Sequence, residues 1–216
     1  MTRNSPEQAA GRFCFRAAIP EIAVAAQYLD EAVSAHISNQ PERAEELIRL
    51  SNIPAIREWT ESLWGSASPY VHYRLLSGAP PSFESAQREK LRMPSLAQRR
   101  LLHLRDGYHC RFCEIPVIRK EIRERLRILY PHVLPWGRTN TSQHAAFQAM
   151  WAQYDRIVPH ARGGNNDLEN VVVTCAPCNF GRMNYTLEEV GLVDPRSREP
   201  IRSEWDGLEC LLRKPK

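Results

Sequence analysis

The sequence YDRIVPHARGGNNDLENVVVTCAPCN, residues 154–179, decides how the chain is organised. A short apolar run that ends at Pro159 is typical of a strand end, and residues 161–166 have the composition of a loop. Residues 168–174 have the β-branched content of a strand, and a helix is expected from Asn179 onward. The stretch therefore predicts two short strands that are joined by a loop and followed by a helix.

Four cysteines form two closely spaced pairs, Cys110 with Cys113 and Cys175 with Cys178. Two intervening residues let both thiolates of a pair reach one tetrahedral ion at about 2.3 Å, and two such pairs complete a structural zinc site. The gap between the pairs is much longer than the roughly 15–20 residues of a compact ribbon, which predicts an inserted segment over residues 114–150. Two unrelated knuckles or redox dithiols are the alternative, although no thioredoxin-like βαβ pattern surrounds either pair. Cys14 and Cys210 are not expected to be ligands.

Most of the remaining chain has helical periodicity. The apolar spacing predicts helices over residues 20–37, 41–50, 53–64, 96–104 (with Ser95 as the N-cap), 115–129 and 141–152, and a short capped helix over residues 185–191. The fold class is therefore expected to be α+β and mostly helical. The predicted parts are a helical N-terminal region over residues 1–76, a Pro- and Gly-containing linker over 77–95, a cysteine-bearing domain over 96–195 and a tail over 196–216.

The composition is that of a globular protein, because 43% of the 216 residues are hydrophobic and 25% are charged. The net charge of +4 is unevenly distributed. Residues 1–50 carry five basic and seven acidic side chains, whereas residues 96–130 carry nine basic and four acidic ones. The basic segment surrounds the first cysteine pair and permits a nucleic-acid partner, although a solvated helix face accounts for the charge equally well.

The sequence also indicates the cellular compartment of the protein. No stretch approaches the roughly 20 apolar residues of a membrane span, so no membrane partner is expected. Residues 1–16 lack the apolar segment of a secretory signal, and six cysteines are too few for a disulfide scaffold of this length. A cytoplasmic location is expected, where paired cysteines favour metal binding.

Residues 154–179 resemble the motif of HNH endonucleases of the cysteine-containing type, and residues 105–113 (RDGYHCRFC) resemble the lead-in to that family's first knuckle. The matching stretches lie between about Ala97 and Gly191, which is less than half of the chain, and leave out the inserted segment. The resemblance implies a ββα-metal unit, here pinned by zinc. It also implies that Asp155 and Asn179 bind a catalytic divalent cation (Mg, Mn or Ni), and that Asn170 braces the loop.

These residue types suit phosphodiester hydrolysis. A divalent ion neutralises charge on the phosphate and the leaving oxygen, and hard oxygen ligands favour Mg or Mn, whereas soft thiolates favour zinc. A histidine near its ordinary pKa suits the activation of water. His109 and His144 are expected not to act as the general base.

The chain departs from the family at Arg156, where the general-base histidine usually follows the metal-binding Asp. An arginine stays protonated and cannot accept a proton from water, although it can bind a phosphate. Three interpretations stay open: an inactivated nuclease that still binds nucleic acid, an active one in which His160 or another histidine is the base, and a substitution introduced into an active enzyme. For His160 a neutral loop role is the alternative.

The resemblance implies a metal-dependent endonuclease acting on DNA, with RNA not excluded. The predicted phosphate contacts are Arg99, Arg100, Arg105, Arg111, Arg162 and Arg182. Trp136 and Trp151 are expected to pack the inserted segment, with stacking on bases as the alternative. Two other functions stay open, a zinc-bearing nucleic-acid-binding module without hydrolytic activity and an interaction protein that works through its helical N-terminal region.

Overall fold

The computed structural model describes residues 11–64, 68–88, 90 and 93–213. Parts of the predicted N-terminal region, linker and tail lie outside the described residues, namely 1–10, 65–67, 89, 91–92 and 214–216. The helices are α1 (Pro20–Ile37), α2 (Pro41–Leu50), α3 (Pro54–Glu61), α4 (Leu96–Asp106), α5 (Lys120–Leu129), α6 (Ala145–Ala149) and α7 (Ala176–Arg182). The strands are β1 (Ala152–Arg156) and β2 (Val171–Cys175). The fold is thus a mixture of helices with a small sheet, as an α+β assignment requires.

Several predicted helices are shorter than their periodicity suggests. Helix α5 begins at Lys120 instead of residue 115, because Pro116 and Ile118 form β-bridges with His109 and Trp151. Residues 185–191 are not a helix, so that prediction is wrong, and the chain forms turns there. The reciprocal hydrogen bonds of a capping box do form between Thr186 and Glu189, but no helix follows them.

Strands β1 and β2 are antiparallel neighbours whose register pairs Ala152 with Cys175 and Arg156 with Val171. Every residue of β2 is buried, which explains its unbroken run of apolar and β-branched residues. Helix α7 follows β2 without a loop, and it begins three residues before the predicted position because Pro177 fits the first turn of a helix. The chain therefore runs from β1 through a loop to β2, and from β2 directly into α7.

The inserted segment and the N-terminal helices share one hydrophobic core. His144 lies against the carbonyl of Ile48 at 3.0 Å, and the amide of Ala145 donates to Asn52 Oδ1 at 2.8 Å. Arg57 of α3 donates to the carbonyl oxygens of Asn140 and Gln143. The segment that separates the two cysteine pairs is thereby attached to the N-terminal bundle.

The predicted linker packs against the loop between β1 and β2. The amide of Phe83 donates to the carbonyl of Ala161 at 2.7 Å, and Arg162 donates to the carbonyl of Pro80. A Cβ at Gly163 would lie 2.5 Å from the Phe83 ring, so the close approach needs glycine. Of the helices the structure describes, none has the length and apolar character to cross a membrane.

Candidate functional site

The four paired cysteines meet at one buried point. Their sulfur atoms all lie within 4.8 Å of one another, and the Sγ atoms of Cys113 and Cys175 are 3.6 Å apart. That separation is far longer than the about 2.05 Å of a disulfide. It is close to the about 3.8 Å between sulfurs that a tetrahedral site with zinc–sulfur bonds of about 2.3 Å requires. The four cysteines can therefore hold a structural metal ion such as zinc.

Each knuckle is shaped by its own backbone. In the first, the amide of Cys110 donates to the carbonyl of Ile115 at 2.8 Å, and the amide of Glu114 donates back to Cys110 at 2.9 Å. In the second, Cys175 ends β2 and Cys178 lies in the first turn of α7. The Arg111 amide donates to the carbonyl of Val173 at 2.9 Å, which joins the first knuckle to β2.

The thiols of this cluster do not ionise alike. Burial raises the pKa of the Cys175 thiol well above its ordinary value. Burial acts on Cys110 in the same direction, but hydrogen bonds from its three neighbours outweigh it and hold the pKa of Cys110 well below its ordinary value. Only a bound cation makes four buried thiolates favourable.

A cleft of about 1100 Å³ lies on the other side of the hairpin. Asp155 and Arg156 line it from the end of β1, His160 from the loop and Asn179 from α7. The structure thus brings together both residues proposed as ligands of a catalytic ion and the two residues considered at the base position.

The Asp155 carboxylate is held by Arg182 in a two-pronged ion pair. Arg182 Nε donates to Asp155 Oδ2 at 2.7 Å, and its Nη2 donates to Oδ1. The Arg182 side chain is 1% exposed and also donates to the carbonyl oxygens of Arg156 and Tyr185. A carboxylate has about four lone-pair positions, so a two-pronged arginine fixes its orientation and leaves positions for a further partner.

Arg156 and Asn170 both hold the loop between the strands. Arg156 is buried, with Nε donating to the carbonyl of Asn165 at 3.1 Å and Nη2 donating to Asn166 Oδ1 at 2.6 Å. Asn170 Oδ1 accepts from the amide of Val158 at 2.9 Å, and its Nδ2 donates to the carbonyl of Asn165 at 3.0 Å. The loop that carries His160 is therefore fixed at both of its ends.

The six arginines predicted to contact phosphates are not on one surface. Arg99 and Arg100 line another cleft, of about 530 Å³, whose lining shares no residue with the cleft of Asp155. Arg105 pairs with Asp106 and donates to the carbonyl of Val171 at 2.6 Å, whereas Arg162 pairs with Glu189. Both have structural partners within the fold.

Two of these predictions need correction, because Arg111 and Arg182 are buried. Arg111 is 6% exposed, and it donates to the carbonyl oxygens of Pro195 and Arg198. Arg182 is committed to Asp155, as described above. Neither guanidinium is available to a phosphate on the surface of this fold.

Sequence reasoning missed two further cations that line the cleft, Arg88 and Lys90, because they belong to the segment interpreted as a linker. It also missed that Arg182 forms an ion pair with the Asp155 carboxylate. A signal existed: Arg182 follows Asn179 by three residues on α7, and residues so spaced lie on one helix face.

The remaining candidates lie elsewhere. His144 is fully buried between the inserted segment and the N-terminal helices, where burial lowers its pKa to about 4. His109 lies beside the first knuckle and outside the residues that line the cleft. Trp136 and Trp151 enclose the Arg123 guanidinium, which lies 3.6 and 4.7 Å from their ring centres.

Comparisons of the chain with protein-family models, with curated proteins and with solved structures returned no match.

Proposed function

We propose that this protein is a metal-dependent endonuclease of the HNH type that hydrolyses phosphodiester bonds in DNA. The observation that carries the proposal is that Asp155 of β1, His160 of the loop and Asn179 of α7 line one cleft. Strand β2 and helix α7 also carry two of the four clustered cysteines. The order and types of Asp155 and Asn179 are those that the resemblance to HNH endonucleases calls for, whereas His160 would replace the histidine that the family has at the position of Arg156.

Asp155 and Asn179 supply hard oxygen atoms, the ligands that Mg²⁺ and Mn²⁺ prefer, and Ni²⁺ is a third candidate. A divalent ion held there would neutralise charge on the phosphate and on the leaving oxygen. Arg182 is a positioning residue in this proposal, because its ion pair fixes the direction of the Asp155 carboxylate. The cations Arg88 and Lys90 would bind phosphates along the same cleft.

His160 is the proposed general base. It lines the cleft, and histidine is the side chain that most often serves as a general base. Arg156 occupies the position that the family usually gives to the base, but a guanidinium stays protonated. In this chain Arg156 holds the loop through Asn165 and Asn166. The part proposed for it is therefore to fix the loop that carries His160.

Arg156 is also the observation that favours a second candidate, a zinc-containing nucleic-acid-binding module without hydrolytic activity. A cleft with cations and no base binds a phosphate without cleaving it. The two candidates differ in one measurable respect, which is whether covalent bonds of the DNA are broken.

A plasmid-nicking assay with Mg²⁺, Mn²⁺ or Ni²⁺ tests the proposal. The wild-type protein is expected to nick, Asp155→Asn to lose activity, and His160→Ala to lose about 10²-fold or more, the usual contribution of a general base. His132→Ala, at an exposed histidine outside the cleft, is the matched control and should retain activity.

The variant Arg156→His separates the two candidates. Cleavage that appears only in Arg156→His would assign the binding module to this chain. No cleavage by either protein, with zinc content and DNA binding retained, would refute the nuclease.

A further inference from the structure

A smaller pocket of about 350 Å³ adjoins the cleft that Asp155 lines. It is lined by three aromatic and three carboxamide side chains: Trp64, Trp151, Phe180, Asn140, Gln143 and Gln148. Phe180 lines both the pocket and the cleft and follows Asn179 directly in α7. A molecule in the pocket would therefore lie next to the proposed site of hydrolysis.

The aromatic rings form a wall around Phe180. Its ring centre is 5.8 Å from that of Trp64 and 6.1 Å from that of Trp151, and both pairs meet edge to face. The Phe180 side chain is nevertheless 41% exposed. Part of its surface is available to a flat ligand.

Two of the residues that line the pocket also carry buried polar atoms. Gln148 is 1% exposed, and its Oε1 accepts no hydrogen bond from the residues that the structure describes, whereas its Nε2 donates to Asn140 Oδ1 at 3.0 Å. The indole N–H of Trp64 is likewise buried and finds no acceptor in the described part of the chain. Both atoms are enclosed by the fold, so the groups of the pocket that can pair with a ligand are the carboxamides of Asn140, which is exposed, and of Gln143, which is half-buried.

We propose that this pocket takes an unstacked nucleobase of the DNA strand whose phosphate lies in the cleft. A nucleobase is flat, stacks on aromatic rings, and carries donors and acceptors along one edge. A purely apolar ring would displace water from the carboxamides of Asn140 and Gln143 and offer them no hydrogen bond in return. The inference rests on the proposed action on DNA, because the shared Phe180 links the pocket to a phosphodiester cleft.

The pocket gives the N-terminal helices and the inserted segment a part in substrate choice. Its walls come from the chain after α3, from the inserted segment and from the segments that flank the β-hairpin. A base in an intact duplex is stacked and paired, and must leave the duplex to enter such a pocket. The protein is therefore expected to prefer single-stranded, mismatched or damaged DNA.

The test compares two probes on the zinc-loaded full chain without added divalent cation, so that binding is measured apart from cleavage. One probe is a short single-stranded oligodeoxynucleotide, and the other is an abasic strand of the same length. Fluorescence anisotropy should give a Kd about 10-fold lower for the strand with bases, the size expected for one stacked base. Phe180→Leu, which keeps apolar volume at an exposed position, should remove this difference and leave the Kd of the abasic strand unchanged.

Two further variants support the comparison. Gln143→Ala removes one accessible carboxamide of the pocket, and should weaken only the binding of the strand with bases. Tyr73→Leu changes an exposed aromatic residue outside the pocket, and should alter neither Kd.

Equal affinity of the wild-type protein for both strands would overturn the pocket, and so would an equal loss for both strands in Phe180→Leu. The nicking assay separates this inference from the proposed function. Cleavage without a preference for bases refutes the pocket alone, base-dependent binding without cleavage refutes the nuclease alone, and no binding of either strand refutes both.

Discussion

Removing the Arg182 guanidinium should destabilise the fold more than any other single loss of charge at the hairpin. The side chains of Arg182 and Asp155 are 1% and 8% exposed, so the pair lies almost wholly out of water. Replacing Arg182 by methionine keeps an apolar stem but leaves the Asp155 carboxylate without its counter-charge. Breaking a buried pair in this way costs about 3–5 kcal/mol. That is a large share of the roughly 5–15 kcal/mol by which domains are stable.

The cost should fall when Asp155 is neutralised as well, because much of it comes from the buried charge left behind. We expect the double variant Asp155→Asn with Arg182→Met to recover at least about 2 kcal/mol relative to Arg182→Met alone. Urea unfolding of the zinc-loaded proteins measures both values, provided that the slope against urea is unchanged.

The matched control is Arg213→Met, which breaks an ion pair with Asp206 in which the arginine side chain is 70% exposed. Exposed pairs contribute about 0–1 kcal/mol, so this variant should unfold almost as the wild type does. A cost for Arg182→Met below about 1 kcal/mol, or equal stability of the single and double variants, would refute the reasoning from burial.

Three further predictions concern the metal, a buried histidine and the loop. Cys178→Ser should lower bound zinc to well under one ion per chain and unfold the cysteine-bearing unit, which metal analysis and circular dichroism report; a folded protein without zinc would contradict it. Because burial lowers the pKa of His144 to about 4, its neutral form stabilises the fold above the unfolded pKa of about 6.5, and this contribution is lost as pH falls toward 4. Urea unfolding should therefore show that the wild type loses about 2 kcal/mol more than His144→Gln between about pH 7 and pH 5, and parallel pH profiles would disprove it. At Gly164 an added Cβ would lie 1.8 Å from the carbonyl oxygen of Val158, so Gly164→Ala should cost about 1–3 kcal/mol in thermal or urea unfolding, and an unchanged midpoint would show that the loop yields.

The parts of the fold that were predictable from sequence are those set by local patterns. Helices α1 and α2 have the predicted bounds, because each begins with a proline at its first position and carries a clear apolar stripe. The meeting of the four cysteines follows from the spacing within each pair. The start of α5 and both ends of α6 were not predictable, because β-bridges take over from helical periodicity beside them, whereas α5 ends at Leu129 as predicted.

The candidate site divides in the same way. The types and order of Asp155 and Asn179 could be interpreted from the sequence, but whether an arginine side chain is buried could not. Burial decides whether a guanidinium contacts a ligand or holds the fold, and burial depends on contacts between residues far apart in sequence. Arg182 lies 27 residues from Asp155, and Arg111 lies 84 from Pro195, so no local pattern reported either contact.

The attachment of the inserted segment has a consequence for how the protein is made. Cys113 and Cys175 are 62 residues apart, so the first knuckle leaves the ribosome well before its partner. The amide of Ile118 donates to the carbonyl of Met150 at 2.7 Å, and the amide of Ala152 donates to Ile118 at 2.9 Å. These bonds bring the two ends of the long loop together, and all of their residues precede the second knuckle in the chain. Protein contacts can therefore offset part of the loop-closure entropy before all four thiolates are available, and zinc capture becomes the late step of synthesis that completes the folding of the cysteine-bearing unit.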